Sequence, residues 1–310
     1  MNNKHVKIGT RGSALAICQA EQVKTALQKN FPGYLFEIIH ISTKGDKILD
    51  VALSKIGDKG LFTKELEQAL LCNGIDIAVH SLKDLPTLLP EGLILGGVLE
   101  RGEVRDALVS LTGKKLRQLD KNDIVGTSSL RRISQLLHLN REVKVVNIRG
   151  NVNTRIQKME KGYCNALLLA GAGLIRLGQK NKITELISPD SMLPAACQGI
   201  IGIETREKDE LTNNLIRQIT HNKTFMAAKA ERTFLKVLEG GCQIPMGCHT
   251  TITDDTFRIT GFISDLKGKK LIKNTLSGNI NEADNTAARL AKLLLDNGGD
   301  EILKVIRMKG

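Results

Sequence analysis

Tryptophan is absent from this chain, and phenylalanine and tyrosine together bring the aromatic content to only 3% of 310 residues. A module that reads single strands by stacking bases on aromatic platforms is not written this way. No run of about 18 apolar residues occurs, so no membrane-spanning helix is predicted. The first residues, Met-Asn-Asn-Lys-His-Val-Lys-Ile, lack an apolar signal core and run into a strand-like segment, which predicts a cytoplasmic protein. There is no Cys-x-x-Cys pair among the cysteines at 18, 72, 164, 197, 242 and 248. In a chain this long with no secretory signal, reduced thiols are expected, and Cys242, Cys248 and His249 lack the spacing of a zinc site, so no metal is expected. A Walker loop, a G-x-G-x-x-G turn and a G-x-S-x-G elbow are also missing, which removes support for nucleotide cofactors and serine hydrolysis.

What is abundant is positive charge. Lys and Arg number 45 against 33 Asp and Glu, a net charge of +12. Such a surplus implies an anionic partner, either nucleic acid or a polyanionic small molecule. The length allows two or three domains, each with its own core.

Along the chain, 5–10 reads as a strand, Ser13 as the N-cap of a helix reaching about Asn30, and 35–43 as a second strand. Residues 44–60 hold three glycines without periodicity and predict a long loop. A helix over 63–73 closed by Gly74 and a buried strand over 75–80 complete a βαβ rhythm, which predicts a largely parallel sheet. The rhythm restarts near residue 105, with strands at 107–110, 124–127, 144–149 and 166–170 and helices from Ser129, Asn151 and Gly171. A further strand is expected at 199–204 and a helix at 224–238. Three strands then follow at 250–253, 257–264 and 270–276, joined by short polar turns, and two helices at about 281–296 and 299–307. This last part predicts an antiparallel α+β domain.

Four stretches carry chemistry. Gly9-Thr-Arg-Gly-Ser13 places Arg11 at a strand-to-helix junction, either an anion site or a capped helix with a surface arginine. His80-Ser-Leu-Lys-Asp-Leu-Pro86 follows a strand, where open α/β sheets line their binding crevices. Its Lys83 and Asp84 combine an anion anchor with a proton-transferring carboxylate, unless the stretch is a plain solvated turn; His80 reads as a hydrogen-bonded strand-end histidine. Gly126-Thr-Ser-Ser-Leu-Arg-Arg132 sets hydroxyls before two arginines that one helical step of about 100° should fan apart. Ile148-Arg-Gly-Asn-Val-Asn-Thr-Arg155 and Arg176 add further cations. Because these arginines recur at turns instead of along helix faces, an arginine-lined cleft is the economical reading. A fifth stretch, 238–247 (Leu-Glu-Gly-Gly-Cys-Gln-Ile-Pro-Met-Gly), is a loop with Cys242 at its centre. That thiol is either a small buried hydrophobe or a nucleophile or attachment point.

Six collinear segments, IGTRGSALA, HSLKDLP, GTSSLRR, IRGNVNTR, LPAACQGIIGIE and LEGGCQIPMG, resemble the porphobilinogen deaminase (hydroxymethylbilane synthase) family from residue 8 to about 247. Cys197 stands where that family commonly has glycine, Ile200 where it often has alanine, and Leu82 where methionine is frequent. The resemblance implies a transferase of tetrapyrrole biosynthesis that joins four porphobilinogen molecules head-to-tail, with loss of ammonia, into hydroxymethylbilane. It implies a dipyrromethane cofactor attached through a thioether to Cys242 and Asp84 as the catalytic carboxylate. Ser81, Lys83, Thr127, Ser129, Arg131, Arg132, Arg155 and Gln198 are implied on the cofactor. Arg11, Ser13, Arg149, Arg176, Lys55, Lys59 and Phe62 are implied on the substrate, the 44–60 loop serving as a lid. The implied fold is two type II periplasmic-binding-protein-like α/β lobes, 1–99 with 200–217 and 105–193, plus a C-terminal α+β domain from 222 to 310 with a small antiparallel sheet. A monomer binding neither nucleic acid nor membrane is expected. Two other classes remain open to the residues alone: a non-catalytic anion-binding protein, which would need neither Cys242 nor Asp84, and a nucleic-acid module, whose affinity would fall steeply with salt.

Overall fold

The computed structural model describes residues 4–47, 62–239 and 244–308. In chain order the elements are β1 (His5–Arg11), α1 (Ala14–Asn30), β2 (Leu35–Ile41), the single turn α2 (Lys44–Lys47), α3 (Lys64–Leu71), β3 (Ile77–Ser81), β4 (Leu93–Val98) and β5 (Asp106–Ser110). There follow β6 (Ile124–Gly126), α4 (Leu130–Leu139), β7 (Lys144–Val146), α5 (Val152–Glu160), β8 (Ala166–Ala170), α6 (Gly171–Arg176), β9 (Glu185–Leu186), β10 (Ile201–Arg206) and α7 (Glu210–Ile219). The last are α8 (Asn222–Val237), β11 (Met246–Thr253), β12 (Thr256–Ser264), β13 (Leu271–Asn279), α9 (Ala283–Leu294) and α10 (Asp300–Arg307).

The chain divides into two compact units. In the first, which draws its described residues from 4–47, 62–102 and 199–225, one sheet runs β2-β1-β3-β10-β4. Its β2, β1 and β3 are parallel, whereas β10 is antiparallel to both β3 and β4. Alternation of side chains across the pleat gives the sheet two apolar faces. Val6, Ile8, Phe36 and Ile203 pack with Val23 and Leu27 of α1. On the other face Ala78 and Leu93 pack with Leu66 and Leu70 of α3. Each fully buried Val, Leu, Ile or Phe side chain among these contributes about 1.5–3 kcal/mol.

The second unit, described over 103–198, 226–239 and 244–308, holds two sheets. One runs β7-β6-β8-β5-β9, with β6, β7 and β8 parallel and β5 antiparallel to β8 and β9. Leu108 and Leu168 point to one core with Leu136 of α4; Val109, Leu167 and Leu169 point to the other with Ile156 of α5. The other sheet is the antiparallel meander β11-β12-β13, covered by Phe234 of α8 and by Ala287 and Leu290 of α9.

Several expectations change. The first two sheets are mixed, not largely parallel, because β10 and β5 run against their neighbours. The strand β4 was not expected, since two glycines interrupt Leu-Ile-Leu-Gly-Gly-Val. They are required by close packing: a Cβ on Gly96 or Gly97 would lie 2.5 Å and 2.1 Å from the hydroxyls of Thr205 and Thr220. The helix expected over 63–73 stops at Leu71, and the left-handed residue beyond it is Asn73 (φ 58°), not Gly74. The strand expected over 144–149 ends at Val146, and β11 starts at Met246, four residues before its expected position. Of the 44–60 loop, 44–47 is a helical turn; the remainder, with Lys55 and Lys59, lies outside the described residues, as does Cys242. Among the described residues no helix is long and apolar enough to cross a membrane.

Candidate active site

In the first unit, β1 ends on Arg11, and Ser13 caps α1 by accepting the Ala16 N–H at 3.3 Å. The Arg11 guanidinium lies over the Phe62 ring, 4.2 Å from its centre, a cation–π contact that orients the side chain. Strand β3 delivers His80 and Ser81 and passes into the tight turn Leu82–Asp84. Leu82 and Leu85 are buried and pin this turn, and the Leu82 N–H donates to the Ile200 carbonyl at 3.0 Å. Between them Lys83 is half-buried and Asp84 is exposed. The Ser81 hydroxyl bonds the amide of buried Gln19 at 2.9 Å. His80 Nε2 stands 2.9 Å from Glu204 Oε2 with both side chains buried, which is the hydrogen-bonded strand-end histidine expected. Nearby, burial pushes the Glu67 carboxyl above the usual range, and the like charge of Glu204 adds to the rise.

In the second unit the turn after β6 is tied to the next strand end. Thr127 is buried and its N–H donates to Val146 O at 3.0 Å; the Ser128 hydroxyl donates to Ile148 O at 2.8 Å. Ser129 stands at the N-cap of α4 without spending its hydroxyl on the helix. The two arginines that follow do not fan apart. Both are buried, and both forks turn onto one carboxylate, Asp106 at the start of β5. Arg131 Nη1 reaches Asp106 Oδ2 at 2.6 Å, and Arg132 Nε and Nη2 reach Oδ1 at 3.0 and 2.8 Å. Four-bond side chains can bend back through one helical step when a buried charge demands it. Against the pull of its own burial, Arg131 and Arg132 hold the Asp106 carboxyl far below the usual carboxylate range. Burial also lowers Arg131 from its ordinary value, with Asp106 opposing.

Gln198 joins the same cluster, its Nε2 donating to Val104 O at 2.8 Å and to Asp106 Oδ1 at 3.0 Å. It closes a turn in which its N–H donates to Ala195 O at 3.0 Å and Cys197 sits at φ 61°. A β-turn with positive φ at its third position favours glycine, so Cys197 holds a conformation that residues with a side chain rarely adopt. Arg155 donates from Nε to Gly150 O at 2.7 Å, beside the Asn151 cap of α5. Arg149 carries a buried Nη1 with no hydrogen-bond partner among the described residues. Arg176 is half-buried at the end of α6. The structure thus groups Arg11, Ser13, Phe62, Ser81, Lys83 and Asp84 in one unit, and Thr127, Ser129, Arg131, Arg132, Arg149, Arg155, Arg176 and Gln198 in the other. Asp106 was not anticipated. The available signal was a lone acid opening an otherwise apolar strand, which burial obliges to find cationic partners. Among the described residues no cluster of His, Cys, Asp and Glu is arranged to hold a metal.

The family model described as "Porphobilinogen deaminase, dipyromethane cofactor binding domain" matches residues 6–214, and that of the porphobilinogen deaminase C-terminal domain matches 225–296. The chain belongs to the porphobilinogen deaminase family. It is 48% identical over 306 residues to the porphobilinogen deaminase of Pelotomaculum thermopropionicum, covering 99% of this chain and 98% of the relative. It is 47% identical over 308 residues to that of Chloroherpeton thalassium, covering 98% of each. Among solved structures, the second substrate-binding domain of Lactococcus lactis GlnP overlaps 75% of this chain and 93% of its own, at 13% identity and TM-score 0.44. The aliphatic sulphonate binding protein SsuA of Escherichia coli overlaps 78% of this chain and 73% of its own, at 10% identity and TM-score 0.39. Membership of the porphobilinogen deaminase family makes this chain an enzyme with a dipyrromethane-binding domain.

Proposed function

We propose that this chain carries out its family's reaction, joining four porphobilinogen molecules head-to-tail with loss of ammonia on a dipyrromethane held by a thioether to Cys242, and releasing the tetrapyrrole by hydrolysis as hydroxymethylbilane. The observation that carries the reading is the charge of the second-unit cluster: two buried guanidinium groups share one carboxylate, and Arg149 adds a buried Nη1 with no hydrogen-bond partner among the described residues. An uncompensated buried cation is costly, so this donor set fits a ligand that brings carboxylates of its own. Each pyrrole unit brings two.

On this reading Arg131, Arg132 and Arg155, with Thr127, Ser129, Ser81, Lys83 and Gln198, bind the cofactor. Arg11, Ser13, Arg149 and Arg176, with Lys55 and Lys59, take the acetate and propionate groups of incoming units, and Phe62 serves the substrate through the ring face it offers to Arg11. When bound, the dipyrromethane supplies the terminal pyrrole carbon from which the chain grows. Asp84 acts at porphobilinogen: it donates a proton to the aminomethyl nitrogen as the C–N bond breaks and ammonia leaves. The carboxylate so formed stabilises the developing methylene-pyrrole cation and accepts the pyrrole proton released when the new C–C bond forms, which returns Asp84 to its starting state. The exposed position of Asp84 on a pinned turn supports this role, because it lets the carboxylate meet each unit in succession. The proposal extends to three domains (1–99 with 200–217, 105–193 and 222–310), the first two of the type II periplasmic-binding-protein kind. It extends also to a cytoplasmic monomer, a compartment that keeps Cys242 reduced before loading.

Intact-protein mass spectrometry is the test. The purified chain should exceed its sequence mass by two porphobilinogen units less two ammonias, localised to Cys242 and absent in Cys242→Ser but present in Cys248→Ser. An unmodified mass that persists after incubation with porphobilinogen overturns the reading.

A further inference from the structure

We propose that Asp106 is a positioning residue for anion capture by Arg131 and Arg132: one buried carboxylate that fixes both guanidinium groups while cancelling only half of their charge. The inference rests on the reading that these arginines hold carboxylates of the bound dipyrrole.

Asp106 is fully buried. Its Oδ1 accepts from Arg131 Nη2 at 3.2 Å, Arg132 Nε at 3.0 Å, Arg132 Nη2 at 2.8 Å and Gln198 Nε2 at 3.0 Å, and its Oδ2 accepts from Arg131 Nη1 at 2.6 Å. Each donor is held from a second side. Arg131 Nη1 also donates to Leu193 O at 2.8 Å, Arg132 Nη1 to Leu168 O at 3.0 Å, and Gln198 Nε2 to Val104 O at 2.8 Å. A guanidinium has five N–H donors in a rigid fork. On each arginine three of these bonds are taken up, and two N–H groups have no acceptor among the described residues.

The stoichiometry is what gives the cluster its use. With two acids it would be neutral and closed to a ligand. With none, two buried like charges would repel and lose their common orientation. One acid for two arginines holds both forks in place and leaves one positive charge that a ligand carboxylate can satisfy. Because bidentate recognition depends on fork orientation, loss of Asp106 should weaken capture even though it raises the local positive charge.

The test compares Asp106→Asn and Asp106→Glu with wild type and with Asp123→Asn. Asp123 is a buried acid just before β6 of the same sheet whose partners are Lys114, Asn165 and the Asp120 N–H, so it reports the general cost of losing a buried carboxylate. Apo-protein is incubated with porphobilinogen over a concentration series, and dipyrromethane per folded chain is read by intact mass, with thermal unfolding recorded in parallel. The half-saturating concentration should rise about tenfold or more in Asp106→Asn, the loss of one charge-assisted bond, and stay near wild type in Asp123→Asn. Asp106→Glu, which keeps the charge but displaces the carboxylate, should fall between. Loading of Asp106→Asn at the wild-type concentration overturns the proposal. If Asp106→Asn does not fold, Asp106→Glu decides: weakened loading at a near-native unfolding temperature supports positioning, and wild-type loading overturns it. If neither variant folds, Asp106 serves folding alone and the proposal fails. A wild-type chain that never gains dipyrromethane condemns the functional reading instead, so the two failures are distinguishable.

Discussion

Two arginines in the second unit differ in how their charge is met, and the difference separates stability from binding. Arg131 sits in an ion pair with Asp106 and bonds a backbone carbonyl, so Arg131→Leu leaves a buried carboxylate with one cation fewer. Breaking such a pair from one side costs about 3–5 kcal/mol, and a clear fall in the thermal midpoint should accompany loss of dipyrromethane loading. Arg149 instead carries a buried Nη1 without an acceptor among the described residues. Arg149→Leu should therefore hold or raise the midpoint while elongation stalls, with dipyrromethane retained and few longer intermediates in native mass spectra. Equal midpoints in the two variants would contradict this contrast. At Asp84 the expectation is purely kinetic. Its exposed carboxylate makes Asp84→Asn tolerable to the fold, and turnover should drop about 10²–10⁴-fold with substrate binding largely kept. Near-wild-type turnover would remove Asp84 from the acid–base role.

At the scale of elements, β12 and α8 approach closely at Gly261, where an added Cβ would stand 2.6 Å from the Phe234 ring. Phe234 is fully buried in the meander's core and cannot swing away, so Gly261→Ala should destabilise that part by about 1–3 kcal/mol, measurable by chemical denaturation. Such contacts mark the boundary of what sequence discloses. Ser13 was legible as a cap, and Asn151 as a helix start, because capping is local: each accepts an amide three residues on. The arginine-bearing turns were legible for the same reason, each lying between a short apolar strand and the helix after it. Strand β4 was hidden because its glycines answer to Thr205 and Thr220, more than a hundred residues away. Asp106 was hidden likewise, since its partners are 25, 26 and 92 positions distant. The reversed directions of β10 and β5 belong to pairing, which periodicity does not encode.

For the molecule as a whole, two buried acids pull the pH dependence of stability in opposite senses. Asp106 titrates far below its unfolded value, so its contribution is complete above about pH 4 and is lost as pH falls below that. Glu67 titrates above its unfolded value, so the folded state binds the proton more tightly and stability declines as pH rises past about 4.5. Glu67→Gln removes the second effect. Its midpoint relative to wild type should therefore improve as pH rises above about 4.5; a constant difference would show that Glu67 does not titrate differently on folding.

The place of β10 has a consequence for how the protein is made. This strand lies between β3 and β4, yet it follows them in the chain by about a hundred residues, after the whole β5–β9 sheet. A ribosome adding roughly 5–20 residues per second delivers β1 to β4 and then takes about 5–20 s to supply the strand that joins β3 to β4. During that interval Ile77 and Val79 lack their Ile201 and Ile203 partners, and two strand edges stay open to other chains. A nascent fragment ending at residue 102 should accordingly show no cooperative unfolding and should bind a hydrophobic dye, and a peptide spanning 199–225 added in trans should restore cooperativity. The end of the chain that leaves the ribosome first belongs to a sheet that is finished only after the β5–β9 sheet.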